Sequence, residues 1–238
     1  MQILAIIPAR KGSKSIKFKN IKLLAGKPLI EYTINSAKKS CYVNRIVVST
    51  DSTKIMKLSQ KLGVDVPFKR PKKFSLDNST NIDVIKHTLT YLKNKESYIP
   101  NIVLLLQPTS PLRTTKLIDN SIKLLIKSKA DSVVSVSEMK EHPLISFSLQ
   151  RNFLKPNNPN FQKFGRRQSR PTYYIPNGAI FTFWLNTIKK FNSIYGKRIK
   201  PLLIKNPELV SDIDNVFDFF TSEMTILHWK KFQNKFKN

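Results

Sequence analysis

Short apolar runs alternate with amphipathic stretches along most of this 238-residue chain, and that alternation constrains the fold more than any other feature. Runs such as QILAII and NIVLLL place apolar side chains on both faces of a strand, which is typical of a sheet covered by helices on both sides. We predict strands over 2–7, 44–49, 101–106, 132–137, 178–184 and 201–205, and helices over 28–39, 53–62, 81–95, 115–128, 186–193 and 215–232. This order predicts an α/β fold with a mostly parallel sheet flanked by helices.

The alternating pattern breaks between residues 138 and 176, which hold five prolines, several asparagines and the pair Arg166-Arg167. Such a stretch is either a long functional loop or a small lobe inserted into the main domain. We therefore divide the chain into a core of 1–137 and 177–238 and an inserted lobe of 138–176.

Composition raises the question of a nucleic-acid partner, because the formal net charge is +27. However, lysines are spread along the whole chain, whereas dedicated nucleic-acid binders more often concentrate charge in one stripe. A basic surface also attracts small anionic substrates.

No apolar run reaches the roughly 18 residues of a membrane span, and the first residues lack a signal-peptide pattern. We expect a cytoplasmic enzyme with no membrane partner, and the lone Cys41 excludes an internal disulfide.

The loop after the first strand, residues 8–20, contains one glycine, small hydroxyls and five basic residues. Ligands bind at the carboxyl ends of strands in open α/β sheets. Backbone N–H groups and cations at this place suit phosphate groups. The spacing matches neither a Walker loop nor a GxGxxG fingerprint, and a solvated basic loop is the alternative.

A second polar segment, residues 106–113, follows the third strong strand. Gln107, Thr109 and Ser110 can hydrogen-bond a polyhydroxylated ligand, and two prolines stiffen the backbone around them. Arg113 is either a structural tether or a ligand contact.

An acidic segment, residues 211–218, stands out in a chain with only 15 acidic residues. Asp212 and Asp214 lie two positions apart, so an extended backbone directs both carboxylates to one side. Such hard oxygen ligands suit Mg²⁺ shared with substrate phosphates. Alternatively, these acids cap the last helix, which explains Asp218 better than metal binding does.

Taken together, these motifs resemble the acylneuraminate cytidylyltransferases, or CMP-sialic acid synthetases, nearly from end to end. The resemblance is carried by IPAR, GSK and KN within 7–20, KPLI at 27–30, STD at 49–51, RP at 70–71 with Asp77, His87, QPTSPLR at 107–113, NGAIF at 177–181 and DID at 212–214. His87 itself is best explained as a packed helix residue. Ser15 stands where the family usually has glycine, Lys11 occupies a position often held by glycine or glutamine, and Lys17 and Phe18 also differ from the usual loop.

The resemblance implies a Rossmann-like sheet of the nucleotide-diphospho-sugar transferase type with a small inserted dimerisation lobe. It implies a nucleotidyltransferase that joins CMP from CTP to a nine-carbon acidic sugar (sialic, legionaminic or pseudaminic acid) and releases pyrophosphate. The implied nucleotide-binding residues are Ala9, Arg10, Gly12, Ser13, Lys14, Lys19, Asn20, Arg70 and Asn81. The resemblance implies a sugar-binding role for Gln107. We expect Thr109, Ser110, Arg166, Arg167 and Asn177 to bind the sugar as well, with the two lobe arginines reaching the neighbouring site of a homodimer. Asp212 and Asp214 would hold Mg²⁺, and the catalytic residues would be Arg10, Lys19 and Asp214.

Three alternatives stay open at this point. Kdo cytidylyltransferases share the fold and the reaction, although the Lys19-Asn20 pair and the DID segment fit the acylneuraminate group better. A guanylyl- or thymidylyltransferase would usually have a more glycine-rich first loop. The non-enzyme alternative is a basic nucleic-acid-binding protein.

Overall fold

The computed structural model describes residues 1–13 and 15–236. Its strands are β1 (Ile3–Pro8), β2 (Leu23–Leu24), β3 (Lys27–Pro28), β4 (Arg45–Ser49), β5 (Ile102–Leu105), β6 (Ser132–Glu138), β7 (Phe147–Gln150), β8 (Phe153–Pro156), β9 (Tyr174–Trp184) and β10 (Ile199–Leu203). Its α-helices are α1 (Leu29–Lys38), α2 (Thr53–Lys61), α3 (Asn81–Glu96), α4 (Thr115–Lys127), α5 (Leu185–Phe191) and α6 (Val216–Gln233). Every predicted strand and helix is confirmed, with bounds shifted by a few residues at most.

The central sheet has six strands in the order β10-β6-β9-β5-β1-β4. β9 runs antiparallel to β5 and β6, whereas the other neighbours are parallel, so the prediction of a mostly parallel sheet is confirmed. Alternate residues of β1 enter opposite cores: Ile3, Ala5 and Ile7 pack on one face, and Leu4 and Ile6 on the other. Burial on both faces explains why these strands carry almost no polar residues.

Local signals set the helix ends. Ser52 caps α2 by accepting a hydrogen bond from the Ile55 N–H, and Gly63 follows the helix at φ +74°. That left-handed conformation favours glycine, which explains the predicted stop. None of the helices in the described ranges is long and apolar enough to cross a membrane.

The inserted segment stands on an extension of the central sheet. Residues 174–176 at the start of β9 pair with residues 136–138 at the end of β6, and the hairpin β7–β8 lies beyond them. The strand thus begins before residue 177, where the sequence pattern placed the return to the core. The division into core and lobe stays a prediction.

Strand direction decides which loops meet. β1, β4 and β5 are parallel, so the loops that follow them emerge at one edge of the sheet. Because β9 is antiparallel, its amino-terminal half reaches that same edge. Residues 9–20, 106–113 and 177–178 are therefore neighbours, as required for one shared site.

Candidate active site

A cleft of about 300 Å³ lies at this edge of the sheet. The predicted site residues that line it are Arg10, Gly12, Ser13, Lys19, Asn20, Arg70, Asn81, Gln107, Thr109, Asp212 and Asp214. Residues from five separate parts of the chain are thus brought together around one volume.

A hydrogen bond from Asn20 closes the basic loop after β1. The Asn20 amide is buried and donates a hydrogen bond of 2.9 Å to the Arg10 carbonyl oxygen. Ile16 is also buried, and Phe18 adopts a left-handed backbone at φ 57°. These anchors fold the loop back on itself, so that Arg10 and Lys19 both line the cleft.

Two carboxylates near the cleft engage this loop. The Arg10 guanidinium lies 2.5 Å from a carboxylate oxygen of Asp77. The Lys11 N–H donates to the Asp51 carboxylate at 2.7 Å. An ion pair between partly exposed side chains is worth little in water, so Arg10 can exchange Asp77 for an anionic ligand at low cost.

In the acidic segment, buried and cleft-lining side chains alternate, as its sequence predicts. The Ile213 side chain is fully buried, and its N–H donates to the Thr109 carbonyl oxygen at 2.9 Å. Asp212 and Asp214 flank it and both line the cleft, as expected for an extended segment. The Asp214 side chain is 79% exposed. Asp212 opens onto the cleft, yet the surrounding walls desolvate its carboxyl and raise its pKa, which a hydrogen bond from Thr109 partly offsets.

The cap of α6 is supplied by other residues. The Asn215 side chain accepts from the Asp218 N–H, and the Asp218 carboxylate accepts from the Asn215 N–H, forming a reciprocal capping box. The interpretation of Asp218 as a helix cap is confirmed. The same interpretation is wrong for Asp212 and Asp214, because the helix begins after them and their carboxylates face the cleft.

Arg70 is the most deeply buried cation of the cleft wall. It is 4% exposed, and its Nε and Nη2 have no hydrogen-bond partner within the described part of the chain. Burial lowers its pKa, and the nearby Asp51 carboxylate opposes that shift. Buried donors without acceptors are costly, so this guanidinium is suited to an acceptor brought by a ligand.

His87 supports the same wall from behind. Its ring lies 4.6 Å from that of Phe68 and 5.0 Å from that of Phe74, and Phe74 lines the cleft. Burial lowers the pKa of His87, with a further contribution from Arg70. The expectation of a packed helix residue is confirmed.

Gly178 is a site residue to which the sequence patterns assigned no role. Its φ is +73°, and a Cβ added there would lie 2.9 Å from Asp212 Oδ2 and 3.2 Å from Gln107 Oε1. A glycine within a strand pattern signals such a close approach. The backbone of β9 therefore passes directly beside both polar side chains.

Several predicted residues do not line the cleft. Ala9 is fully buried and donates its N–H to the Ser49 carbonyl oxygen, and Ser110 is 1% exposed. Asn177 is buried, with its amide oxygen accepting from Ser135 Oγ at 2.7 Å. Ala9 and Ser110 lie in the segments after β1 and β5, whereas Asn177 lies within β9, and all three side chains are held inside the protein.

Arg113 is a tether rather than a wall of the cleft. Its guanidinium is buried and donates to the carbonyl oxygens of Gln107 and Ala179 and to the hydroxyl of Thr33. Of the two interpretations of this residue, the structural one is confirmed.

The lobe arginines stay apart from the cleft of their own chain. Arg166 and Arg167 are exposed, and neither lines the cleft. Lys14, predicted to bind the nucleotide, lies outside the described residues.

One wall was largely missed by sequence reasoning. Phe74, Leu76, Asp77 and Ser79 line the cleft together with Asn81 at the start of α3. The sequence signal for this wall was a polar, turn-forming run between Pro71 and α3, and apolar periodicity predicts only a loop there.

Comparison with known proteins agrees with this geometry, since residues 4–217 match the protein family described as "Cytidylyltransferase". The chain belongs to the cytidylyltransferase family. It is 37% identical over 225 residues to a CMP-N,N'-diacetyllegionaminic acid synthase from Legionella pneumophila, covering 94% of this chain and 95% of that one. It is 33% identical over 221 residues to an N-acylneuraminate cytidylyltransferase from Streptococcus agalactiae, covering 92% of this chain but only 52% of that one. This cytidylyltransferase thus spans about half the length of the streptococcal relative.

The fold of the cytidylyltransferase also matches a solved structure. A CMP-2-keto-3-deoxy-manno-octonic acid synthetase complexed with CTP superposes with a TM-score of 0.70 at 13% identity, covering 97% of this chain and 100% of that one. At that identity the likeness establishes the fold, an α/β sheet flanked by helices as predicted.

Proposed function

We propose that this cytidylyltransferase transfers CMP from CTP to a nine-carbon acidic sugar and releases pyrophosphate. The observation that carries the proposal is that one cleft is lined by both cations and carboxylates: Arg10, Lys19 and Arg70 together with Asp212 and Asp214. Cations suit a triphosphate, and paired carboxylates suit the metal that accompanies it. The relatives that span this chain are named for CMP transfer to such sugars.

Arg10 and Lys19 would stabilise the triphosphate and the departing pyrophosphate. The Lys19 side chain is only 12% exposed, so its ammonium acts where water screens it weakly. Ser13 and the backbone around Gly12 lie between these two cations and can donate hydrogen bonds to phosphate oxygens.

Arg70 and Asn81 would hold the nucleoside part. Arg70 lines the cleft together with Phe74 and Val84, and two of its guanidinium nitrogens have no hydrogen-bond partner among the described residues. A planar base fits between an apolar surface and hydrogen-bond donors.

The reaction would be a direct displacement. The anomeric hydroxyl oxygen of the sugar forms a bond to the α-phosphorus while the bond from that phosphorus to the bridging oxygen of the β-phosphate breaks. The pyrophosphate takes the electron pair, and the hydroxyl proton passes to solvent or to a nearby base. Such a transfer depends mostly on positioning and charge stabilisation, so it needs no covalent enzyme intermediate.

Asp212 and Asp214 fit Mg²⁺ as ligands. Both offer hard oxygen atoms, and the desolvation that raises the pKa of Asp212 is the condition that a cation relieves. When bound, Mg²⁺ would neutralise phosphate charge and act as a Lewis acid. The Thr109 hydroxyl and the Gly178 backbone orient Asp212 towards that position.

The acceptor would lie beside Gln107, on the β9 side of the cleft. Gln107 Oε1 faces the backbone of Gly178, and both adjoin Asp212. Hydroxyl groups of a sugar placed here would find an amide and a carboxylate within one small area.

The lobe would form a homodimer interface. Leu149, Phe153 and Leu154 of the β7–β8 hairpin are 71%, 79% and 68% exposed, and Tyr174 at the start of β9 is 52% exposed. An apolar patch of this kind is typical of a surface that another protein covers. A second copy placed there would bring Arg166 and Arg167 towards the neighbouring cleft, where arginine forks suit a sugar carboxylate.

The proposal is tested by following pyrophosphate release from CTP, UTP, ATP and GTP with each candidate sugar. We expect release with CTP and one of the legionaminic, N-acetylneuraminic or pseudaminic acids, and none when the sugar is omitted. Preference for Kdo would favour the related enzyme group. Absence of release with every pair, together with tight binding of DNA or RNA, would establish the nucleic-acid alternative.

A further inference from the structure

The loop after β1 and the acidic segment meet at a junction made by residues far apart in the chain. The Ser15 hydroxyl donates to the Asp214 carbonyl oxygen, across 199 positions. The Lys19 ammonium donates to the Ile213 carbonyl oxygen at 2.6 Å and lies 3.8 Å from an Asp214 carboxylate oxygen. Two side chains of the phosphate-facing loop thus hold the backbone that carries the proposed metal ligands.

Apolar packing supports the junction from below. Ile16, next to Ser15, and Ile213, next to Asp214, belong to one buried cluster with Leu24, Leu29 and Phe219. The polar contacts therefore lie beside packed apolar side chains, which restrict the motion of both segments.

The backbone groups of the two residues at the junction are all engaged. For Ile213, the N–H donates to Thr109 and the carbonyl oxygen accepts from Lys19. For Asp214, the N–H donates to Asp218 and the carbonyl oxygen accepts from Ser15. The backbone is held at four points while the Asp214 carboxylate stays exposed, so these contacts fix the place from which the Asp214 side chain extends into the cleft.

We propose that Ser15 is a positioning residue that couples nucleotide binding to metal binding by holding Asp214. The inference rests on the function proposed above. Lys19 faces the cleft and will be drawn towards a bound triphosphate, which weakens its hold on Ile213. Ser15 contacts the segment through a neutral hydroxyl, so its contact can persist when the loop is loaded.

The test measures CTP binding by calorimetry with the sugar omitted, so that no turnover occurs. Each protein is titrated with CTP in EDTA and again in saturating Mg²⁺, and the ratio of the two Kd values gives the coupling. A neutral hydrogen bond corresponds to a change of about twofold to tenfold. We expect Ser15→Ala to lower the coupling ratio by that factor, with metal-free CTP affinity unchanged.

Two further variants distinguish loss of the Ser15 hydroxyl from general effects of a substitution. Ser15→Thr keeps the hydroxyl and should retain most of the wild-type ratio. Ser128→Ala removes a serine hydroxyl that bonds only locally at the end of α4, and should leave the ratio unchanged. An unchanged ratio in Ser15→Ala, or an equal loss in Ser15→Thr, would overturn the role of Ser15 alone. If the wild-type protein bound CTP with the same Kd in EDTA and in Mg²⁺, that result would overturn the proposed metal site, and the Ser15 inference with it.

Discussion

The cleft and the lobe differ in what their side chains contact. In the cleft, loops from distant parts of the chain hold one another: Lys19 and Thr109 bond the backbone of Ile213, and Gly178 packs against Asp212. In the lobe, apolar side chains such as Phe153 and Leu154 face outwards. The comparison teaches that contacts within one chain suffice to organise the cations and carboxylates of the cleft, whereas the lobe has an apolar surface that one chain leaves uncovered.

The sharpest way to test the cleft is Asp214→Asn. The substitution keeps the shape of the side chain but removes a proposed metal ligand, and metal stabilisation of a transition state is worth several kcal/mol. We expect kcat/KM at ordinary Mg²⁺ to fall at least about a hundredfold, with partial recovery at high Mg²⁺.

Asp65→Asn is the matched control for that variant. It makes the same change at an aspartate that pairs with Arg45 outside the cleft, so we expect a loss of stability of at most about 1 kcal/mol and little change in kcat/KM. Wild-type kinetics for Asp214→Asn would remove the metal site from the proposal.

Lys19→Ala tests the cation side of the cleft. Loss of a charge-assisted contact costs roughly 1.5–3 kcal/mol, so we expect pyrophosphate release to slow about tenfold to a hundredfold. Lys17→Ala removes an exposed lysine that lies 5.7 Å from the Phe18 ring, and serves as the control for net charge. Turnover of CTP at the wild-type rate by Lys19→Ala would contradict the assignment.

The lobe is tested by complementation. The double variant Arg166→Ala, Arg167→Ala should raise KM for the sugar about tenfold, because an arginine fork on a carboxylate is lost. When this variant is co-expressed with Asp214→Asn, mixed dimers contain one intact site if the arginines serve the neighbouring subunit. At sugar concentrations well below KM, activity should then recover to about a quarter of wild type for random pairing. No recovery would show that the lobe does not complete its neighbour's site.

The smallest effect in a standard assay is expected from the lobe surface. Phe153→Ser with Leu154→Ser removes apolar area worth roughly 1.5–3 kcal/mol per side chain, so the dimer Kd should rise at least about tenfold. Sedimentation over a range of concentrations measures this shift. Ile99→Ser, which changes an exposed apolar residue away from the lobe, is the control. Equal sedimentation of all three proteins would place the interface elsewhere.

Much of the fold was predictable, because apolar periodicity reports how each segment is buried. The strands and helices lie where that pattern placed them, and Gly63 ends α2 as predicted. The direction of β9 was not predictable in this way, since a strand buried on both faces has the same pattern whichever way it runs. That antiparallel direction brings Gly178 to the site edge.

The sequence by itself determined which residue types follow the strand ends, and thereby most of the cleft's cations and two of its three exposed carboxylates. Only the tertiary structure decided that Arg113 is a tether, that Asn215 rather than Asp214 caps α6, and that Ser15 bonds Asp214. The physical reason is distance along the chain. A local pattern records how a segment packs, but a contact between residues 15 and 214 depends on the order and direction of strands that neither segment encodes.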